Sequence, residues 1–405
     1  MTTYKKIMNI ALPAMAENFL QMLMGMVDSY LVASLGLIAI SGVSVAGNII
    51  TIYQAIFIAL GAAVSSLISK TLAQGDKERL AYHTAEAIKL TLLLSFLLGL
   101  LSLLFGRQML DLLGTEKAVA EADGLYLALV GGTIVLLGLM TSFGALVRVT
   151  RNPRFPMYVS LLTNVLNALF SALGIYAFRL GVVGVALGTV LARLVGVVIL
   201  WRELDLSTIR WSWGLDRELL RLSLPAAGER LMMRAGDVVI IAIVVVFGTD
   251  AVAGNAIGEV LTQFNYMPAF GVATATVMLA AHAVGEGDMQ AVGRIRQRAF
   301  WLSFACMLPL ALGIFALGRP LTLLYTDNSG AITASLSVIL FSLLGTPMAA
   351  GTVIYTAVWQ GLGNARLPFY ATTVGMWLIR IVAGYVLGVT CGLGLPGVWA
   401  GTLLD

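Results

Sequence analysis

Long apolar runs are the feature that most constrains what this chain can fold into. A bilayer core needs about 20 apolar residues per helix, and eleven runs are close to that length or longer, while a twelfth begins at Gly397. The eleven runs cover roughly residues 7–35, 45–70, 86–105, 123–147, 157–178, 183–201, 221–247, 253–283, 299–317, 333–360 and 369–388. Helices satisfy their own backbone polar groups inside a membrane, so we predict an all-α integral membrane protein with twelve helices.

The composition supports the same class. Only 11% of the 405 residues are charged and 59% are hydrophobic, with a mean hydropathy of +0.93, whereas soluble domains carry about 25% charged residues. The first apolar run is too long for a signal peptide, so we expect a retained helix. Cys306 and Cys391 lie in apolar stretches and indicate neither a disulfide framework nor a metal motif.

The placement of basic residues predicts the orientation. If the N-terminus is cytoplasmic, sixteen of the 25 Lys and Arg residues fall on inner segments. Four fall on outer loops, namely Arg107, Lys117, Arg179 and Arg319, and five lie in or at the edge of spans, namely Lys89, Arg193, Arg230, Arg234 and Arg380. This bias follows the positive-inside rule. We therefore expect a multi-pass plasma (inner) membrane protein with a cytoplasmic N-terminus, a lipid bilayer around it and no nucleic-acid partner. Separately from the charges, we expect a monomer with small-molecule substrates.

Similar segments recur at one offset along the chain. "RNPRFPMY" at 151–158 returns as "GNARLPFY" at 363–370, an offset of 212, and Leu12-Pro13-Ala14, Gly36 and Gly42 have counterparts at the same offset. "GVALGT" at 184–189 returns as "GVWAGT" at 397–402, with an offset of 213. An offset that holds over a whole half indicates a duplicated domain. We interpret the Asn-x-Arg-x-Pro-x-Tyr segments as turns that set topology.

The duplication predicts the domain organisation. We expect an N-lobe at residues 1–203 with helices 1–6, a cytoplasmic linker at 204–220, and a C-lobe at 221–405 with helices 7–12. An even number of helices per lobe predicts a pseudo-two-fold axis along the membrane normal and a midplane cleft for alternating access. Thr402 to Asp405 align with the middle of the sixth helix, so we expect the twelfth helix to be truncated here.

Polar residues inside spans are the candidate functional groups, because they are costly there. Glu17, Gln21, Met24 and Asp28 are spaced i, i+4, i+7 and i+11, which places them on one stripe of the first helix. A carboxylate in a membrane cavity suits a cation or a proton. The alternative for Glu17 and Asp28 is a hydrogen-bonded packing role.

Further polar residues form stripes on three other helices. We predict a substrate-cleft set consisting of Glu17, Gln21, Asn48, Gln54, Glu229, Asn255, Glu259 and Gln263. Interhelical hydrogen bonding remains the alternative for these groups. Arg234 and Asp237 have the spacing of an internal ion pair, and Arg380 requires an acidic partner that the sequence does not identify.

"IALPAMAENFLQMLMGMVDSYLVASLG" at 10–36, the glycine-rich second helix, the Asn-x-Arg-x-Pro turns and the two six-helix halves resemble the multidrug and toxic compound extrusion (MATE) family. The resemblance covers essentially the whole chain. It implies twelve helices in two lobes and antiport of cationic or amphipathic drugs against sodium ions or protons.

The resemblance also implies a coupling-cation site. Asp28 matches the first-helix aspartate of the family, Asn167 the fifth-helix asparagine and Thr189 the sixth-helix threonine, while Ser171 stands where the family has an aspartate. With one carboxylate missing, we expect protons to be favoured, with Na⁺ at Asp28 as the alternative and no other cofactor. The run 333–360 lacks the tenth-helix acid of the NorM-like branch.

Two other functions are weighed against antiport. A flippase of lipid-linked saccharide should carry several arginines in its cleft, but here the mid-membrane polar set is largely acidic and amide, apart from Arg230, Arg234 and Arg380. A membrane enzyme is not expected, because the sequence has no histidine cluster and no nucleophile motif. His83 and His282 are interpreted as ordinary interfacial residues at helix ends.

Overall fold

The computed structural model describes residues 3–112, 117–205, 207, 209 and 212–405. Its regular structure over these residues is helical, without strands. The prediction of an all-α protein is confirmed. The helices of the first half are α1 (Thr3–Ala33), α2 (Leu37–Gln74), α3 (Lys77–Leu112), α4 (Lys117–Gly132), α5 (Val135–Thr150), α6 (Phe155–Ala172) and α7 (Val182–Glu203).

The second half begins with another long helix. Its helices are α8 (Arg217–Val245), α9 (Thr249–Glu286), α10 (Met289–Ala316), α11 (Gly318–Leu323), α12 (Ser329–Leu344), α13 (Thr346–Gly361), α14 (Arg366–Thr373), α15 (Ile381–Tyr385) and α16 (Leu395–Leu404). Turns of π-helix follow α6 at Leu173–Ala177, follow α14 at Val374–Arg380 and follow α15 at Val386–Thr390.

Most predicted spans correspond to long apolar helices. Among the described residues, nine helices are long and apolar enough to cross a membrane, or ten if α12 and α13, which meet at a bend of 57°, form one span. Helix α8 has the length of a span but is not among them. The reason is the charged side chains along it, which include Glu229, Arg230, Arg234 and Asp237.

The duplication is visible in the backbone. Helices α2 and α9 both contain 38 residues, and the offset between them is 212 at both ends. Gly36 and Gly248 precede them with φ of 109° and 97°, and Gly75 and Gly287 follow them with φ of 70° and 77°. Glycine adopts positive φ at little cost. The repeated glycines therefore give the two helices matching ends.

The offset between the halves changes from 212 to 213, and this change has a structural cause. Helices α7 and α16 begin at an offset of 213, and so do the π-helical turns Leu173–Ala177 and Val386–Thr390. Before them, the second half has one further π-helical turn, Val374–Arg380, without a counterpart among the described residues of the first half. A π-helical turn holds one more residue than an α-helical turn. We infer that this turn absorbs a single-residue insertion.

The contacts divide the chain into two compact units. One unit is Ala16–Ala227, and the other combines Met1–Met15 with Gly228–Asp405. The divisions fall inside α1 and α8, whereas the predicted lobes change at the linker; the lobe boundaries stay a prediction. In the second unit, α9 packs against α10, α12 and α13.

In the first unit, α6 and α7 approach each other backbone to backbone. A Cβ atom on Gly184 of α7 would lie 2.7 Å from the carbonyl carbon of Gly174, and one on Gly188 would lie 2.6 Å from the backbone nitrogen of Ser171. Backbone atoms cannot move away from an added Cβ atom as the end of a flexible side chain can. These two glycines therefore fix the register between Ser171 on α6 and Thr189 on α7.

We expect Gly184→Ala to destabilise the protein by about 1–3 kcal/mol, because overpacking against a backbone forces the helices apart. Gly47→Ala in α2 is the matched control, since a Cβ there meets nothing within 4 Å and alanine favours the helix. Thermal unfolding in detergent measures both variants. Equal melting temperatures for the two would contradict the close helix contact.

Candidate functional site

Asp28 and Asn167 form the centre of a polar cluster in the first unit. Asp28 lies on α1, and the side-chain amide of Asn167 on α6 donates hydrogen bonds to both carboxylate oxygens, at 3.2 and 3.1 Å. Asn167 is only 7% exposed. The fold thus brings together two residues that are 139 positions apart in sequence.

Two hydroxyl groups complete the cluster from the other side of the amide. Thr189 on α7 donates from Oγ1 to Asn167 Oδ1 at 3.1 Å, and Ser171 on α6 donates from Oγ to the same oxygen at 3.3 Å. Both residues are buried. The structure brings together all four predicted coupling residues, and their role in coupling stays a prediction.

Arg193 is a fifth member that the sequence analysis placed in a span without a role. It lies one helical turn after Thr189 on α7 and interacts electrostatically with Asp28 and with Tyr126 on α4. Its Nη1 atom is buried and has no hydrogen-bond partner among the described residues. The i, i+4 spacing from Thr189 is the one signal in the sequence from which this residue could have been found.

The predicted substrate-cleft residues of the first unit are not in one cluster. Glu17 forms an ion pair with Arg148 of α5, which links α1 to α5. Gln21 and Asn48 are exposed, and Gln54 is half-buried. The contact of Glu17 thus agrees with the alternative interpretation, a packing role between helices. Gln21 and Asn48 remain accessible.

The second unit has its own polar groups. Asn255 of α9 donates to Glu259 at 3.1 Å and accepts from the indole nitrogen of Trp399 at 2.9 Å. Glu229 of α8 is buried and accepts from Thr372 Oγ1 at 3.4 Å. Glu259 and Gln263 are exposed, so α9 presents an acid and an amide on its surface.

Arg380 has an acidic partner that could not be identified from the sequence. Its Nη2 lies 2.7 Å from Asp405 Oδ2. This ion pair joins the last residue of the π-helical turn after α14 to Asp405, which follows α16. The predicted pair of Arg234 and Asp237 is present on α8, with its nitrogen and oxygen 4.0 Å apart. Arg380 follows Asn167 at the offset of 213, so a cation occupies the repeat position of the amide.

The linker before α8 is bound to α3 by buried polar groups. His83 Nδ1 lies 2.7 Å from Asp216 Oδ2, and Glu86 accepts from the Asp216 backbone nitrogen at 3.0 Å. His83 is 3% exposed, so its interpretation as an ordinary interfacial residue is wrong. The linker covers the His83 side chain. The contact could not be predicted from the sequence, because His83 and Asp216 are 133 residues apart.

Lys89 extends the same contact. It pairs with Glu86 and donates to the backbone oxygens of Ser212 and Gly214. Burial would raise the pKa of Asp216, but the hydrogen bonds from His83 and from the backbone of Glu218, with the charge of His83, hold that pKa below its ordinary value. The ionised form of Asp216 is therefore favoured in the folded protein.

A multi-helix membrane fold with a carboxylate in a polar cluster between helices is typical of secondary transporters. The chain belongs to the MatE family, whose model matches residues 13–173 and 225–386. The fold class, an all-helical membrane transporter of the twelve-helix, two-lobe type, is confirmed by this family and by solved structures of similar fold.

Several known proteins are similar over nearly the whole chain. The "Probable multidrug resistance protein NorM" of Thermotoga maritima is 28% identical, over 99% of this chain and 89% of the relative. "Multidrug resistance protein NorM" of Vibrio vulnificus is 22% identical, over 100% and 93%. A crystal structure of the Vibrio cholerae MATE transporter VcmN has a TM-score of 0.92 and 18% identity, and covers 99% of this chain and 93% of its own. A MOP superfamily transporter from Pyrococcus furiosus has a TM-score of 0.91 and 21% identity, over 100% and 92%.

The contact between the linker and α3 predicts a pH effect on stability. Because the pKa of Asp216 is lowered on folding, ionised Asp216 stabilises the fold above its unfolded pKa, and this stabilisation is lost as the pH falls through the folded pKa. We expect Asp216→Asn to lower stability by about 1 kcal/mol at neutral pH.

The measurement is thermal unfolding between neutral and acid pH. The difference between wild type and Asp216→Asn should shrink below a pH of about 4. Asp327→Asn is the control, because this aspartate is exposed. A difference that is constant over the whole pH range would contradict the role assigned to the Asp216 charge.

Proposed function

We propose that the protein is a multidrug antiporter that exports cationic or amphipathic compounds in exchange for protons, with Asp28 as the coupling carboxylate. Membership of the family and the multidrug resistance names of its relatives support the export of drugs. The observation that carries the coupling role is the position of Asp28, whose carboxylate lies in a cluster formed by three membrane helices.

The hydrogen bonds explain how a proton would change the protein. Ionised Asp28 accepts two hydrogen bonds from Asn167, which tie α1 to α6. Hydrogen bonds to a charged acceptor are stronger than those to a neutral one. Protonation of Asp28 weakens this tie and converts one oxygen into a donor. Proton binding and the position of α1 are therefore coupled.

The choice of protons over sodium follows from the ligands. A hard cation needs several oxygen ligands to replace its water, and Ser171 offers a neutral hydroxyl where the family resemblance places a second carboxylate. A proton requires one titrating acid. If one proton enters for each monovalent cation that leaves, no net charge moves, and the pH gradient alone drives export at about 1.36 kcal/mol per pH unit.

Accessible acid and amide groups supply the attraction for a cationic substrate. In the first unit these groups are Gln21 and Asn48, and the second unit has its own set, Glu259 and Gln263. The basic residues on segments assigned to the inner side support a cell-membrane protein with its N-terminus in the cytoplasm. Alternating access to the two sides of the membrane is part of this proposal.

We expect Asp28→Asn to abolish pH-driven efflux, because Asn cannot take up a proton, and thermal unfolding in detergent checks that the variant is folded. The measurement is efflux of a fluorescent cation from proteoliposomes, with pH and sodium gradients imposed separately. Asp327→Asn, an exposed aspartate, should transport at the wild-type rate. Normal transport by Asp28→Asn, or wild-type transport driven by sodium alone, would rule the mechanism out.

Ser171→Asp should create sodium dependence. The change restores a second carboxylate beside Asn167, within reach of the same cluster. In the same vesicles, a sodium gradient should then drive efflux at least about tenfold faster than in wild type, a factor that corresponds to about 1.4 kcal/mol. If this folded variant still ignores sodium, a missing carboxylate is not what prevents sodium coupling.

A further inference from the structure

Arg193 brings a positive charge into the polar cluster around Asp28 and Asn167. Within the described residues it forms no salt bridge, and its buried Nη1 has no hydrogen-bond partner. Its electrostatic interactions are with Asp28 and Tyr126. A buried guanidinium is costly unless an opposite charge compensates it. Asp28 is the carboxylate of this cluster, so the two charges balance without any bound ion.

The Asn167 amide is turned so that it does not offer an oxygen to a cation beside Asp28. Its nitrogen faces the carboxylate, and its oxygen accepts from the hydroxyls of Thr189 and Ser171. These two hydroxyls also lie 3.1 and 3.5 Å from the Val185 carbonyl. The residues present therefore fit a sodium ion poorly, because they offer it one carboxylate and a neighbouring positive charge.

We propose that Arg193 is a specificity-determining residue that takes the place of a bound sodium ion and makes the cluster reject metal cations. This inference rests on the proposed antiport function and names the residue that selects its coupling ion. A sodium ion at Asp28 would leave a second positive charge beside the guanidinium, in surroundings of low dielectric constant where repulsion is strong. A proton needs no coordination shell and binds directly to one Asp28 oxygen.

The geometry of α7 explains why this position is effective. Arg193 follows Thr189 by four residues, so both side chains leave the same face of the helix. Gly188 holds α7 against the backbone of Ser171 on α6, where a Cβ atom would lie within 2.6 Å. The register of α7 is therefore fixed, and the base of the Arg193 side chain is fixed with it relative to Asn167 and Asp28.

The test is sodium binding to purified protein in detergent. It is measured as the saturable binding of radioactive sodium, with choline replacing sodium so that the ionic strength stays constant. Wild type should show no saturable binding that depends on Asp28. Arg193→Met should acquire such binding, with an affinity at least about tenfold above any in wild type. Arg193→Lys keeps the charge and should behave as wild type, a rescue that a purely structural role does not predict.

Two further variants locate the effect. Asp28→Asn combined with Arg193→Met should lose the acquired sodium binding. Arg202→Met makes the same change at an exposed position near the end of the same helix, and should leave the wild-type result unchanged. If Arg193→Met does not fold, Arg193→Gln replaces it, since glutamine keeps the polarity without the charge.

Saturable, Asp28-dependent sodium binding by wild type overturns the inference, and so does a folded, neutral Arg193 variant that binds no sodium. If neither neutral variant folds, the wild-type and Arg193→Lys measurements decide alone. Sodium binding is measured without transport. If the vesicle experiment contradicts the antiport proposal, that result can therefore be distinguished from a binding result that contradicts the role of Arg193.

Discussion

The side-chain amide of Asn167 is the interaction on which the first unit's polar cluster depends. It joins the carboxylate of α1, through its nitrogen, to the hydroxyls of α6 and α7, through its oxygen. In a membrane, an unsatisfied polar group costs several kcal/mol. One buried amide therefore both stabilises the packing of three helices and sets which atoms face Asp28.

The amide reaches both hydroxyls because α7 lies in backbone contact with the end of α6 and with the π-helical turn that follows it. Gly174 and Gly184 meet backbone to backbone, and Gly188 meets Ser171. Small residues at a helix interface permit such an approach in membranes. The packing and the proposed chemistry therefore depend on each other, since the same helix pair supplies the close contact, both hydroxyls and Arg193.

The duplicated halves have matching helices but differ in the charged residues at equivalent positions. Helices α2 and α9 have equal length and matching glycine ends. At the position that repeats Asn167, however, the second half has Arg380, which is the last residue of the additional π-helical turn and pairs with Asp405. Duplication thus preserved the helix framework, whereas the polar groups inside each unit diverged.

The sequence by itself determined the helices, the duplication and the candidate carboxylate, because hydrophobic length and spacing along one chain segment are local properties. It also placed Asp28, Asn167, Ser171 and Thr189 in one site, through a family resemblance. The tertiary structure alone decided the partners: Glu17 with Arg148, His83 with Asp216, Arg380 with Asp405, and Arg193 beside Asp28. These residues are distant in sequence, and helix packing, which no periodicity encodes, brings them together.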